Sequence, residues 1–132
     1  VEGILAQRLV RKICSECSRS YDPAKPDEDV TKFKDFIEPM PAGLGLKKGE
    51  KLAIGAGCRA CRNTGYRGRV GVYELLSMSE ETRERIMKRV GAQEIASKAA
   101  ARDELYTLMA DGFTKVKDGL TTVAEVLRAL TA

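Results

Sequence analysis

The sequence predicts a mainly α protein that carries a small four-cysteine zinc-binding lobe and a short β element, and ends in a C-terminal helical bundle. Three observations lead there. All four cysteines fall into two CxxC pairs, Cys14/Cys17 and Cys58/Cys61, in a chain without histidine. Apolar residues recur at three- and four-residue steps near both ends of the chain, the spacing of one helix face. Between the cysteine pairs lies a stretch that contains all four prolines, Pro23, Pro26, Pro39 and Pro41.

Each element follows in order. Leu5, Leu9 and Ile13 stand at i, i+4 and i+8, with Ile4 beside them and Arg8, Arg11 and Lys12 largely off the stripe. This predicts a helix over 1–13. The chain starts at Val1 and enters that pattern at once, so it reads as a segment of a longer polypeptide. Residues 23–57 add Gly43, Gly45, Gly49, Gly55 and Gly57 to the prolines and predict an irregular loop. One short helix is expected around 30–37, where Phe33, Phe36 and Ile37 share a face. The loop has too few apolar residues to fold by burial alone and needs an external constraint.

From Gly68 onward the pattern changes. "RVGVYELL", residues 69–76, alternates Val70, Val72 and Glu74 against Gly71, Tyr73 and Leu75, which predicts a strand. Ser79 before Glu80 and Glu81 is a helix N-cap with acids in the first turn, and that helix ends near Gly91. The Ala-rich run 92–101 predicts a second helix. Asp103 caps a third, on which Leu105, Leu108, Met109, Phe113 and Val116 form the buried stripe, and Gly119 ends it. Thr122 and Glu125 have capping-box spacing for a last helix with Val123, Val126, Leu127 and Leu130.

Composition narrows the class. A chain of 132 residues, 43% hydrophobic and 32% charged, suits one ordinary domain or two very small ones and not a disordered segment. No apolar run approaches a membrane span, and no secretion signal is recognisable. The net charge of +4 is too mild to imply nucleic acid by itself. Locally, Arg59, Arg62, Arg67 and Arg69 crowd together with no acid among them, and Arg8, Arg11 and Lys12 flank the first pair.

The cysteines admit three readings. Disulfides suit secreted chains, and this one has the charge-rich composition of a reducing compartment. A thioredoxin-like pair needs one CxxC at a helix N-terminus after a strand, not two copies in a loop-rich region. A tetrahedral four-thiolate site needs two such hairpins, each pointing two sulfurs at one ion. Structural zinc held by Cys14, Cys17, Cys58 and Cys61 is the favoured reading, ahead of iron in the same cage. With four protein ligands no coordination position is left open for catalysis.

"ILAQRLVRKIC", "GCRACRNTGYRGRVGVYELL" and "LMADGFTKVKDGLTTVAEVLRAL", in that order, resemble the C-terminal region of the GspE/PilB family, the hexameric ATPases of type II secretion and type IV pilus assembly. The resemblance implies that 1–13 end a RecA-like ATPase domain, 14–68 form its zinc-binding lobe, 69–76 a connecting strand and 77–132 a C-terminal helical domain. It also implies neighbouring subunits of a homo-hexamer and the cytoplasmic parts of inner-membrane assembly proteins as partners. The location it implies is cytoplasmic, peripheral to the bacterial inner membrane, with ATP and Mg bound by the parent protein only. No G-x-x-x-x-G-K-[ST] run occurs here, so no catalytic residue is assigned and no ATP hydrolysis is expected of this chain. Tyr66, Arg67 and Arg69 are candidates for a subunit boundary, contacting a neighbour's acids or nucleotide phosphates. Their alternative is a turn packed on the lobe with exposed charges. A zinc-ribbon nucleic-acid module is the competing function, but aromatic platforms are scarce and no nucleic acid is expected.

Overall fold

A computed structural model describes residues 2–77, 80–89, 91–95 and 105–131. In chain order the strands and helices are β1 (Glu2–Ile13), β2 (Ser18–Tyr21), α1 (Glu28–Thr31), β3 (Leu52–Gly55), β4 (Tyr66–Ser77), α2 (Glu80–Met87), β5 (Leu105–Tyr106), α3 (Leu108–Lys117) and α4 (Val123–Thr131). A 3-10 turn at Ala42–Leu44 and a helical turn at 92–95 complete them. β1, β4 and β5 form one antiparallel sheet in the order β1-β4-β5, and β2 pairs with β3 in a second.

The mainly α expectation is therefore wrong, and the error sits chiefly at residues 1–13. Residues 2–13 form a strand paired with β4 from Glu2↔Ser77 to Ile13↔Tyr66. A four-residue step is even, so Leu9 and Ile13 share a strand face as readily as a helix stripe. Burial follows tertiary position: Val10 and Ile13 are buried, while Leu5 and Leu9 remain 49% and 51% exposed. The expected strand 69–76 is real but longer at both ends.

Other boundaries moved for local reasons. α1 starts earlier than expected because Asp27, not a residue near Val30, caps it by accepting the Val30 N–H at 2.9 Å. α3 starts at Leu108 on a Thr107 cap that accepts the Ala110 N–H at 3.1 Å, and Leu105 belongs to β5. The Ser79 and Asp103 caps, and most of the Ala-rich helix, lie outside the described residues. Gly119, at φ +78°, does end α3.

The loop between the cysteine pairs is less dependent on an external constraint than its composition implies. Tyr21, Val30, Leu44, Leu52 and Ile54 join Phe113, Val116, Val123 and Val126 in one buried cluster. Phe33, Phe36, Ile37 and Met40 pack against it, with Phe36 edge-on to Tyr21 at 6.0 Å. α3 and α4 approach closely at Gly112, where a Cβ would meet Val126 Cγ1 at 2.8 Å. Loop and helices thus share an apolar core, with each supplying what the other lacks.

Candidate metal centre

Strand connectivity brings the cysteines together. The turn after β1 carries Cys14 and Cys17 into β2, and the turn after β3 carries Cys58 and Cys61 into β4. Because β1 pairs with β4 and β2 with β3, the two turns must lie side by side. Backbone bonds fasten them: Cys14 N–H donates to the Gly65 carbonyl at 2.9 Å, and Ala56 N–H to the Cys17 carbonyl at 3.1 Å. The second turn needs left-handed backbone at Arg62 (φ 55°) and Asn63 (φ 62°), and closes with Gly65 at φ 82°.

The four Sγ atoms lie within 4.8 Å of one another. Cys14–Cys58 and Cys58–Cys61 are each 3.7 Å apart, and Cys17–Cys61 is 3.8 Å. No cysteine is disulfide-bonded. A tetrahedron with metal–sulfur bonds of about 2.3 Å has edges of about 3.8 Å, and these three sulfur pairs already stand at that spacing. Cys14 and Cys61 are buried, Cys17 and Cys58 half-buried. All four ligand positions are filled by the protein, which suits a structural ion.

Backbone N–H groups prepare the sulfurs for charge. Gly57 N–H donates to Cys17 Sγ at 3.3 Å, and Cys58 and Gly65 N–H donate to Cys61 Sγ at 3.3 and 3.2 Å. Burial opposes the Cys61 thiolate, but the Cys58 and Gly65 N–H groups outweigh it and lower that thiol to about 6. Burial dominates at Cys17 and, against the Gly57 N–H, raises it to about 12. The backbone donors thus favour the thiolate at Cys61, and a divalent cation would favour it at each sulfur.

Tyr66, Arg67 and Arg69 part company. Tyr66 is buried: its hydroxyl donates to Asp35 and meets the Thr122 hydroxyl at 2.6 Å, and the Arg11 guanidinium lies 4.2 Å from its ring centroid. Burial first, then the Asp35 carboxylate, keep its phenol protonated. Arg67 and Arg69 are exposed, on either side of Gly68 at φ 82°.

Sequence reasoning missed the residues that tie this centre to the helices. Glu125 accepts the Arg11 backbone N–H and guanidinium, and Thr121 Oγ donates to the Arg11 carbonyl at 2.7 Å. The capping box is half formed, since Thr122 Oγ accepts the Glu125 N–H at 3.1 Å while the Glu125 carboxylate turns to Arg11. An acid three residues after a threonine gave no sign of that second use.

Residues 1–128 match the family described as Type II/IV secretion system protein, and the chain belongs to that family. It is 38% identical over 125 residues to the type IV pilus assembly ATPase PilB of Thermus thermophilus, an alignment covering 95% of this chain and 13% of that protein. It is 36% identical over 128 residues to the type II secretion system protein E of Pectobacterium carotovorum, covering 96% and 22%. The type II secretion system ATPase E of Vibrio cholerae is 35% identical over 128 residues, again covering 96% and 22%. The chain thus spans less than a quarter of the length of these relatives.

Proposed function

We propose that this chain is a structural and interaction segment of a hexameric motor ATPase serving type II secretion or type IV pilus assembly, with zinc held by Cys14, Cys17, Cys58 and Cys61. The observation that carries the metal is the tetrahedral spacing of four soft sulfur donors fed by backbone N–H groups. Hard-oxygen ions such as Mg²⁺ find no fitting ligand there, whereas zinc accepts four thiolates in this geometry. Zinc supplies folding energy at such a site by fixing the two cysteine turns to each other.

The motor reading rests on the family and on relatives named as secretion and pilus ATPases. Nucleotide and Mg²⁺ belong to parts of the polypeptide outside this chain, which has no phosphate loop of the Walker type. Neighbouring subunits and the cytoplasmic parts of inner-membrane assembly proteins are its partners, and the setting is the cytoplasmic side of that membrane. Among the described residues no helix is long and apolar enough to cross it. Arg67 and Arg69, exposed where the lobe rejoins β4, are the side chains placed to reach a neighbour. A nucleic-acid reading is weakened because Tyr21 and Tyr66 are buried and offer no stacking platform.

Two measurements test this. The purified chain should contain one zinc and show no ATP turnover. In the full-length ATPase, Cys58→Ser should reduce hexamer formation or ATPase rate while the phosphate loop still binds nucleotide. Full assembly and activity in the metal-free variant would overturn the structural role.

A further inference from the structure

Beside the first cysteine turn lies a groove of about 370 Å³, separate from the sulfur cluster. Lys12, Ser15, Ser18 and Arg67 supply its polar side chains. Ile13 and Leu120 line it between them, joined by the Ile13 N–H donating to the Leu120 carbonyl at 2.9 Å. No carboxylate lines it; Glu16 and Asp118 are neighbours in sequence but are not part of its wall. Among the described residues none of the four polar side chains has a hydrogen-bond or ion-pair partner, and all four are exposed.

The backbone places the two cations there. Pairing steps from Arg11↔Arg69 to Ile13↔Tyr66, so Lys12 of β1 faces both Arg67 and Gly68 of β4. This is a bulge, and Gly68 absorbs it at φ 82°. Bulges re-aim side chains and recur beside functional sites. Lys12 runs past the bulge, its Cδ 4.0 Å from where a Gly68 Cβ would stand. Like charges facing across strands are destabilising. At the adjacent Arg11↔Arg69 pair the protein answers that repulsion with Glu125. At Lys12 and Arg67 it supplies no acid.

We propose that this groove binds a phosphomonoester: a doubly charged phosphate group neutralised by Lys12 and Arg67 and hydrogen-bonded by the Ser15 and Ser18 hydroxyls. Arginine offers the planar fork that matches phosphate oxygens, and lysine a point charge. The volume exceeds what bare phosphate needs and lies in the range of small-molecule sites, which leaves room for a group attached to the phosphate. Ser15 lies within the Cys14–Cys17 turn and Ser18 follows it, which makes the site dependent on a formed metal lobe. It is independent of which machine the chain serves.

The test is titration of the zinc-loaded chain with glycerol phosphate at constant ionic strength, followed by amide chemical shifts. A second arm uses sedimentation with vesicles containing phosphatidic acid, against neutral vesicles. Saturable shifts at Lys12, Ser15, Ser18 and Arg67 are expected. Binding should weaken about tenfold in each of Lys12→Ala and Arg67→Ala. It should persist in Arg59→Ala, an exposed change on the same lobe outside the groove. Response to phosphatidic acid vesicles alone, lost in the same variants, assigns the phosphate to a lipid headgroup. No saturable response in either arm, or equal weakening by Arg59→Ala, overturns the site. Both key residues are exposed, and unchanged melting of the variants would confirm that folding is not what was lost.

Discussion

Glu125 of α4 holds Arg11 of β1 through both backbone and side chain. One carboxylate oxygen accepts the Arg11 amide at 2.8 Å; the other accepts Nε at 3.1 Å and the guanidinium NH2 at 2.9 Å. Arg128 adds a third cationic contact at 2.7 Å. The Glu125 side chain is 8% exposed and that of Arg11 42%, so the bond to the half-buried amide matters more than the screened ion pair. Glu125→Ala should destabilise the zinc-loaded chain by about 1–3 kcal/mol, the cost of a half-buried donor left without a partner. Glu125→Gln keeps one acceptor and should cost less. Urea unfolding checks both, and equal, negligible losses would make the contact incidental.

Metal removal should act on the whole molecule. The lobe and the helices share one apolar cluster, so a strong chelator should lower the melting temperature and remove helix and strand signals in a single transition. Cys61→Ser should do the same and abolish zinc in elemental analysis, because a hydroxyl is a poor substitute for a thiolate. Helical signal persisting after the lobe becomes protease-sensitive would show two independent units.

Gly55 and Gly65 are in backbone contact. A Cβ on Gly55 would stand 2.1 Å from the Gly65 carbonyl oxygen and 2.6 Å from its Cα. Gly55→Ala must push that segment away, at about 1–3 kcal/mol for an overpacked site. Gly65 also donates to Cys61 Sγ, so zinc affinity should fall in the same variant. Competition with a chromophoric chelator measures it; wild-type affinity would show that the turn can shift without disturbing the sulfurs.

Asp111 of α3 is buried and accepts from the Tyr73 backbone N–H at 2.9 Å and from Lys115 at 2.7 Å. Burial opposes its charge, but Lys115 and the Tyr73 amide outweigh it and hold its carboxyl below the usual value. A depressed carboxyl stabilises fully above its unfolded pKa of about 3.9, and that contribution is lost as pH falls through the lower folded value. Asp111→Asn should therefore be less stable near neutrality and should lose less on acidification below about pH 4. Parallel stability–pH curves for the two chains would refute the assignment.

The grouping of the four cysteines into one cluster is legible in the order of residues alone. Two-residue spacing orients paired sulfurs locally, and four thiols in a chain without histidine leave few other uses for them. Features with a local cause are legible in the same way: the strand at 69–76, the glycine that ends α3, and the apolar stripe of Phe113 and Val116. Features whose partners lie far apart in the chain were settled by packing. The stretch Glu2–Ile13 is a strand because β4 supplies its hydrogen bonds, and an i, i+4 spacing cannot tell the two periods apart. Tyr66 turned inward because Asp35 and Thr122 meet its hydroxyl there, while Arg67 beside it stayed at the surface. Neighbours in sequence carry no record of which of them a distant helix will cover.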